Sequence, residues 1–381
     1  MKAKKNKIGI ITFQGSYNCG SLLQAYALQK YLKEKLNWDN EIINFSNAKQ
    51  IDMYAVFQKN KSLKAIVKNS MCLPFYSILK RHNEDYKSFI NQELILSPLS
   101  YSKSEKMEQV EDRYSCLVAG SDQIWNIKCY DADDVYFLNF ATHTKKIAYA
   151  PSLGAKRILK EAKNPNTYIE YLKDFSFLSV REQNGQKWLK ELTDNIEIPI
   201  LPDPTLLYDK DFYTSLTKKE PIIKGKYIFY YAFHYPHETN KVLKKISKET
   251  GMPIITLDAK PWIIRGICLH GFKISPESGP KAFLNLLNFA DTVITTSLHG
   301  TIFSAIFRKN FWYLKSKIYN PIDDRATFLL DQLGLKSRFI DLKLLSSSNI
   351  HNETDFSICK SNISELRIKA YNYLQKALAE N

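Results

Sequence analysis

The sequence predicts an α/β protein made of two Rossmann-like units that face a cleft, and three observations predict it. Short β-branched or aromatic runs alternate with helical patterns through the first half, as parallel strands with crossover helices require. Over 201–226 the alternation breaks, with Pro202, Pro204 and Pro221 and the charged run Lys218, Lys219, Glu220, which marks a domain boundary. Beyond it an apolar strand restarts at 227–232. The expected layout is an N-terminal α/β domain over 1–208 carrying a basic helical insertion at about 47–90, a C-terminal α/β domain over 209–360, and a last helix at 361–381 packing back on the first domain.

The elements follow in order. The run 8–13 is the first strand, and after the loop 14–20 the residues Leu22, Leu23, Tyr26, Ala27, Tyr31 and Leu32 recur at helical spacing with Ser21 as cap. Further strands are expected at 41–45, 116–119, 146–150 and 175–180, the last followed by a helix at 183–192. In the second half strands are expected at 227–232, 254–257, 291–296 and 311–314, and 364–378 has the pattern of an amphipathic helix. Open parallel sheets bind ligands outside the carboxyl ends of their strands, so the residues just after each strand are the ones to inspect.

Composition narrows the function classes. Over 381 residues, 44% are hydrophobic and 24% charged, the balance of a globular protein that forms its own core. Lys and Arg total 54 against 39 Asp and Glu, a net +15 that points to an anionic partner: nucleic acid, an anionic membrane or a phosphorylated small molecule. No helix-turn-helix, zinc finger or aromatic RNA-binding motif accompanies the charge, so nucleic acid is not expected. The apolar run 8–13 is too short for a signal-peptide core, and no stretch of 18 apolar residues exists for a spanning helix. Six cysteines without a C-x-x-C pair fit reduced thiols in a cytosol, and no metal cluster is visible. The region 49–81 holds seven Lys and Arg against one acid, Asp52, interleaved with Tyr54, Val56, Phe57, Leu63, Ile66, Val67 and Met71. It is either a solvated helical insertion packing one apolar face on its domain, or a basic amphipathic patch for an anionic membrane or lipid-linked substrate.

Five loops carry candidate chemistry. The first, 15–21, has the glycine spacing of a phosphate loop without the lysine after Gly20; it is a plain turn or one that leads free N–H groups of a helix start to an anion. The second, 119–126, offers Asp122 as base or as cap, with Ser121 and Gln123 beside it. The third ends a strand with Arg181, able to fork onto a carboxylate or phosphate or to pair with Glu182. The fourth, 293–301, sets His299 between a strand and an apolar helix, followed by Gly300 and flanked by Ser297 and Thr301, where an imidazole can shuttle protons beside helix N–H groups. The fifth is a turn at 320–325 carrying Arg325. His270, His234 and His237 are read as structural.

Together these segments resemble the polysaccharide pyruvyltransferase family: Asn18-Cys19-Gly20 with Gln24 to Leu28, Gly120 to Asn126, Tyr149 to Ser152, Ser179 to Glu182, Asp203 to Leu207, and Ser297 to Thr301 with Phe303-Ser304, in order over about residues 8 to 335. The resemblance implies a two-domain fold similar to the GT-B glycosyltransferases. It implies transfer of a pyruvyl group from phosphoenolpyruvate to a sugar of a cell-surface polysaccharide or its lipid-linked precursor, with ketal formation, release of phosphate and no cofactor. By resemblance His299 and Asp122 are catalytic, and Arg181, Arg325, Asn18, Gly20, Ser121, Gln123, Ser297, Gly300 and Thr301 bind substrate. Arg325 stands where the family has a lysine, keeping the cation but not a proton donor. The expected location is cytoplasmic, at the inner face of the cell membrane. A nucleotide-sugar glycosyltransferase and a non-catalytic glycan-assembly subunit are the rival readings.

Overall fold

A computed structural model describes residues 7–60, 62–103, 107, 109–193, 197–315 and 320–379. The first domain holds six strands: β1 (Lys7–Ile11), β2 (Asp39–Phe45), β3 (Leu96–Tyr101), β4 (Cys116–Asp122), β5 (Lys145–Pro151) and β6 (Phe175–Phe177), in the order β3-β2-β1-β4-β5-β6. The second holds β7 (Ile228–Tyr231), β8 (Ile254–Thr256), β9 (Lys273–Ile274), β10 (Thr292–Thr295), β11 (Phe311–Lys315) and β12 (Phe339–Asp341), in the order β12-β11-β10-β7-β8-β9. Every pairing is parallel. Numbered within its own domain, each sheet therefore runs 3-2-1-4-5-6, the doubly wound Rossmann order, whose crevice opens where the winding reverses between first and fourth strands. In this chain those points lie between β1 and β4 and between β7 and β10.

The helices that place the site are α1 (Cys19–Glu34), α2 (Ala48–Tyr54), α3 (Leu63–Cys72), α4 (Tyr76–Glu93), α5 (Gln183–Lys190), α6 (Ala259–Ile264), α7 (Gly279–Phe289), α8 (Leu298–Ile306), α9 (Arg325–Gln332) and α10 (Cys359–Ala379). Burial explains α1, whose residues from Cys19 to Gln29 are all buried. A helix apolar on nearly every side needs cover on every side, and α1 is enclosed by its own sheet and by the second domain. One apolar cluster runs from Ile8 and Val118 through Leu22 and Leu28 to Phe229, Phe283 and Phe303, so the two domains share a core. Hydrogen bonds tie both flanks: Ser278 N donates to Asp85 Oδ2 at 2.9 Å, and Asn184 N donates to Asp324 Oδ2 at 3.0 Å. Helix α10 crosses back to the first domain, where Tyr373 OH donates to the Ala148 carbonyl of β5 at 2.8 Å.

Three strands go beyond the sequence expectation, and all are sheet edges. β3 carries Pro98 and three exposed residues in a row, whereas β9 and β12 have two and three residues. An edge strand tolerates proline and needs no buried face, so it leaves little pattern in the sequence. The cap of α1 is Asn18 rather than Ser21: its side chain accepts from Gly20 N at 2.9 Å and Ser21 N at 3.2 Å. The basic insertion, α2 to α4, does not pack on its own domain alone. Cys72 and Leu79 join Ala259 and Ile263 of α6 in a small core between the domains.

Candidate functional site

Between the two sheets lies a cleft of about 530 Å³. Its walls come from the carboxyl ends of the switch-point strands: Asn18 and Ser21 after β1, Asp122 and Gln123 at the end of β4, His234 after β7, and His299 after β10. Arg181 and Arg325 line it as well. Six of the residues singled out in the sequence thus share one cavity: Asn18, Asp122, Gln123, Arg181, His299 and Arg325.

A carboxylate organises the centre. Asp203 Oδ2 lies 2.5 Å from Arg181 Nη1 and 3.3 Å from His299 Nε2, joining a cation of the first domain to the imidazole of the second. Its other oxygen accepts from Thr205 N at 3.0 Å and Thr205 Oγ1 at 2.7 Å. Burial by itself would raise the Asp203 pKa, but the His299 and Arg181 charges and the Thr205 hydroxyl outweigh it and hold the carboxyl well below the usual range. Asp203 was absent from the sequence-derived site; only its place in the Asp203-Pro204-Thr205 segment marked it.

Arg181 is held by one edge. Besides Asp203 its neighbour is Asp122, with Oδ1 at 3.6 Å from Nη2, and it does not pair with Glu182. Glu182 instead accepts from Ser152 Oγ and Leu153 N, both at 2.9 Å. The buried Nε and Nη2 of Arg181 make no hydrogen bond among the described residues. Buried donors of this kind are normally satisfied, and a ligand oxygen would satisfy them. Arg325 is gripped from its other side: Nε and Nη2 donate to the two carboxylate oxygens of Asp323 at 2.7 and 2.5 Å. Burial opposes its charge, yet the fork with Asp323 prevails and raises its pKa further.

Asp122 acts both as cap and as wall of the cleft. Its Oδ1 accepts from Gln123 N at 2.8 Å, and its Oδ2 accepts from Ser21 Oγ at 2.5 Å. The backbone at Asp122 has φ 67° and ψ −174°, a region that costs a non-glycine residue about 1–3 kcal/mol and that persists mostly where position matters for function.

His299 explains Gly20. A Cβ added at Gly20 would lie 2.0 Å from His299 Nδ1, so the first turn of α1 is the seat of the imidazole. With the helix N–H groups of Gly20 and Ser21 already taken by Asn18, this helix start is not an anion cradle, and Gly20 serves the site through His299. Gly20→Ala is expected to displace the ring by an ångström or more and lower turnover by about a hundredfold, measured by steady-state assay; wild-type turnover would show that the ring need not rest there.

Four residues expected to bind substrate do not line this cleft. Ser121 Oγ donates to the Ala150 carbonyl at 2.8 Å and Thr301 Oγ1 to the Ser297 carbonyl at 3.1 Å, both buried inside the fold. Ser297 Oγ caps α8 by accepting from Gly300 N at 3.4 Å, and Gly300 leaves room for Thr295, whose Oγ1 would lie 2.3 Å from an added Cβ. Conversely, His234, read as structural, lines the cleft; burial and then Arg265 lower its pKa. His237 and His270 stack edge to face, 5.2 Å apart, outside the cleft.

A polysaccharide pyruvyl transferase family model matches residues 18–317, nearly four fifths of the chain. The chain belongs to the polysaccharide pyruvyl transferase family. No curated protein sequence matches it significantly. Among solved structures it is similar to UDP-N-acetylglucosamine 2-epimerase from Rickettsia bellii, with 10% identity, TM-score 0.51, and coverage of 98% of this chain and 96% of that one. It also resembles the Methanocaldococcus jannaschii UDP-GlcNAc 2-epimerase (14% identity, TM-score 0.49, 96% and 99% covered) and E. coli heptosyltransferase WaaC (10%, 0.42, 94% and 99%). At such identities the likeness is one of fold, and the two-domain fold is of the GT-B type. The match in this pyruvyl transferase family member begins at Asn18 and includes Asp122, Arg181, Asp203 and His299; Arg325 lies just beyond it.

Proposed function

We propose that the cleft transfers the pyruvyl group of phosphoenolpyruvate to two hydroxyls of a glycan sugar, forming a ketal and releasing phosphate. The observation that carries this reading is Arg181: a buried guanidinium anchored by Asp203 with two donors unsatisfied, in the same cleft as the half-buried Arg325. Such a pair suits a compact phosphate and carboxylate. The start of α8, whose Leu298 and His299 line the same cleft, adds positive potential to it. In this scheme His299, held with Nε2 toward Asp203, protonates the enol methylene. The first sugar hydroxyl then attacks the cationic carbon, phosphate leaves, and the second hydroxyl closes the ketal. Asp122 takes one hydroxyl proton, and the other returns to His299. No cofactor enters this scheme.

The test is incubation with phosphoenolpyruvate and a panel of free and lipid-linked sugars, following phosphate release and the pyruvyl mass increment. Release of a nucleoside diphosphate from a nucleotide sugar would replace this reading with glycosyl transfer. Arg325→Ala is expected to raise the Michaelis constant for phosphoenolpyruvate about tenfold or more, the loss of one or two charge-assisted hydrogen bonds, with a smaller change in turnover. An unaltered constant would remove Arg325 from the donor site.

The insertion supports a cytoplasmic enzyme working at an anionic membrane face. Leu63, 77% exposed, lies with Ile66, Val67, Met71, Leu73 and Tyr76 on the outer side of α3 and the turn into α4, all exposed. Lys59, Lys64, Lys80 and Arg81 of the same insertion are exposed as well. Exposed apolar side chains and cations on one segment complement a bilayer that carries negative headgroups, and a lipid-linked acceptor would be met there. In vesicle sedimentation the protein is expected to bind phosphatidylglycerol vesicles and not phosphatidylcholine ones, and to be released by salt. Binding insensitive to salt, or kept after Lys64, Lys80 and Arg81 are changed to glutamate, would reject this face. Among the described residues no helix is long and apolar enough to cross a membrane.

A further inference from the structure

Beside the cleft lies a second cavity of about 290 Å³, and nothing in the donor chemistry uses it. Asn18, Met53, Tyr54 and Phe233 border both spaces, so they adjoin. The far walls come from α4 of the first domain, with His82 and Tyr86, and from the loop after β8 of the second, with Asp258. Its position repeats the logic of the cleft, since β8 also ends at the carboxyl edge where open sheets bind ligands.

Two polar groups there have no adequate work in the fold. Asp258 stands at the N-cap of α6, where an aspartate normally accepts backbone N–H bonds, yet its side chain caps nothing. Among the described residues its side chain has one hydrogen-bond partner, Tyr86 OH, which donates to Oδ1 at 3.4 Å across the domain boundary. His82 is buried, and neither ring nitrogen makes a hydrogen bond among the described residues; the backbone of Ser275 approaches without the alignment of one. Native proteins rarely leave a buried imidazole such as His82 unpaired unless a ligand or water completes it. Burial pushes the Asp258 carboxyl up to about 6 and the His82 imidazole down to about 4. Each is therefore costly to keep charged when empty, and a neutral imidazole offers one donor and one acceptor, the complement of a hydroxyl.

The remaining surface is aromatic. Tyr17 stacks on Tyr86, with centroids 5.3 Å apart and planes at 3°, and lies 5.4 Å from Tyr54. Phe233, 49% exposed, stands on the wall between the two spaces. The cation of the cavity is engaged: Lys260 Nζ donates to the Ala55 carbonyl at 2.8 Å. An apolar-faced cavity with a few convergent polar groups and no open guanidinium edge suits a neutral polyol and not a phosphate.

We propose that this second cavity seats the pyranose ring of the acceptor, with Asp258 and His82 holding ring hydroxyls and Phe233 forming the face that presents the reacting pair to the cleft. The proposal rests on the pyruvyl-transfer reading, whose donor half can be checked separately. The test uses the full chain and a panel of methyl hexopyranosides, with saturation-transfer NMR for glycoside contact and calorimetry for phosphoenolpyruvate. Wild-type protein is expected to show saturation transfer to the ring protons of at least one glycoside. Asp258→Asn, His82→Ala and Phe233→Ala are expected to weaken that binding tenfold or more while phosphoenolpyruvate affinity stays within twofold of wild type. Phe233→Ala guards the test against misfolding, because it removes a half-exposed ring. Equal glycoside binding in the folded variants, or no contact with any glycoside by a protein that binds phosphoenolpyruvate, would overturn the acceptor pocket and leave the donor site standing. Failure to bind phosphoenolpyruvate, with glycoside contact intact, would instead overturn the pyruvyl-transfer reading.

Discussion

Replacing His299 by alanine is expected to lower turnover by about 10²–10⁴-fold, the usual worth of a positioned general acid or base. The geometry singles out this histidine from the seven in the chain. It is buried, lines the cleft at the end of β10, faces a carboxylate through Nε2, and rests on a glycine through Nδ1. A base oriented by a carboxylate is the general arrangement for proton transfer in a dry site. Donor affinity is expected to change little, because the arginines and not the imidazole carry the anion. His299→Gln keeps the volume and should lose as much turnover, which separates chemistry from packing. Either variant with wild-type turnover would remove His299 from the proton path.

The sequence made the central strands and the switch-point loops legible, because both leave local signals. β4 is buried at every position and ends in Gly120-Ser121-Asp122, a polar cluster that an apolar strand does not need for itself. His299 stood out for a similar reason, lying between an apolar strand and an apolar helix. What stayed hidden was pairing over long separations. Arg181 has Glu182 as its sequence neighbour, but the two side chains diverge, and Asp203 meets the guanidinium from the next segment. Gly20 reads as a phosphate-loop glycine by spacing; only the approach of His299, 279 positions away, reveals why a side chain is excluded there. The same holds for the helix starts, where Asn18 and Ser297 spend on capping the groups that local reading offered to a ligand. The exposed apolar face of α3 was equally indeterminate, since an amphipathic pattern does not say which side finds a partner.

The relay at Asp203 yields the second large effect, on stability and turnover together. Asp203→Asn removes the charge that Arg181 meets at 2.5 Å and His299 at 3.3 Å. Arg181 would remain buried with Asp122 as its neighbouring carboxylate, 3.6 Å away. Breaking a buried pair in this way costs about 3–5 kcal/mol, because the surviving charge stays desolvated. The pH dependence follows from the direction of the shift. The Asp203 carboxyl is held below its ordinary pKa in the folded chain, so its contribution is fully present above the unfolded value of about 3.9 and is lost as pH falls below that toward the folded value. Wild-type protein should thus be the more stable at pH 7, and the gap to Asp203→Asn should narrow as acid is added below about pH 4; urea unfolding at several pH values measures it. Turnover should fall with stability, since the imidazole loses the group that fixes its orientation. A variant as stable as wild type at neutral pH, with the same acid dependence, would mean that Arg181 and His299 do not depend on Asp203.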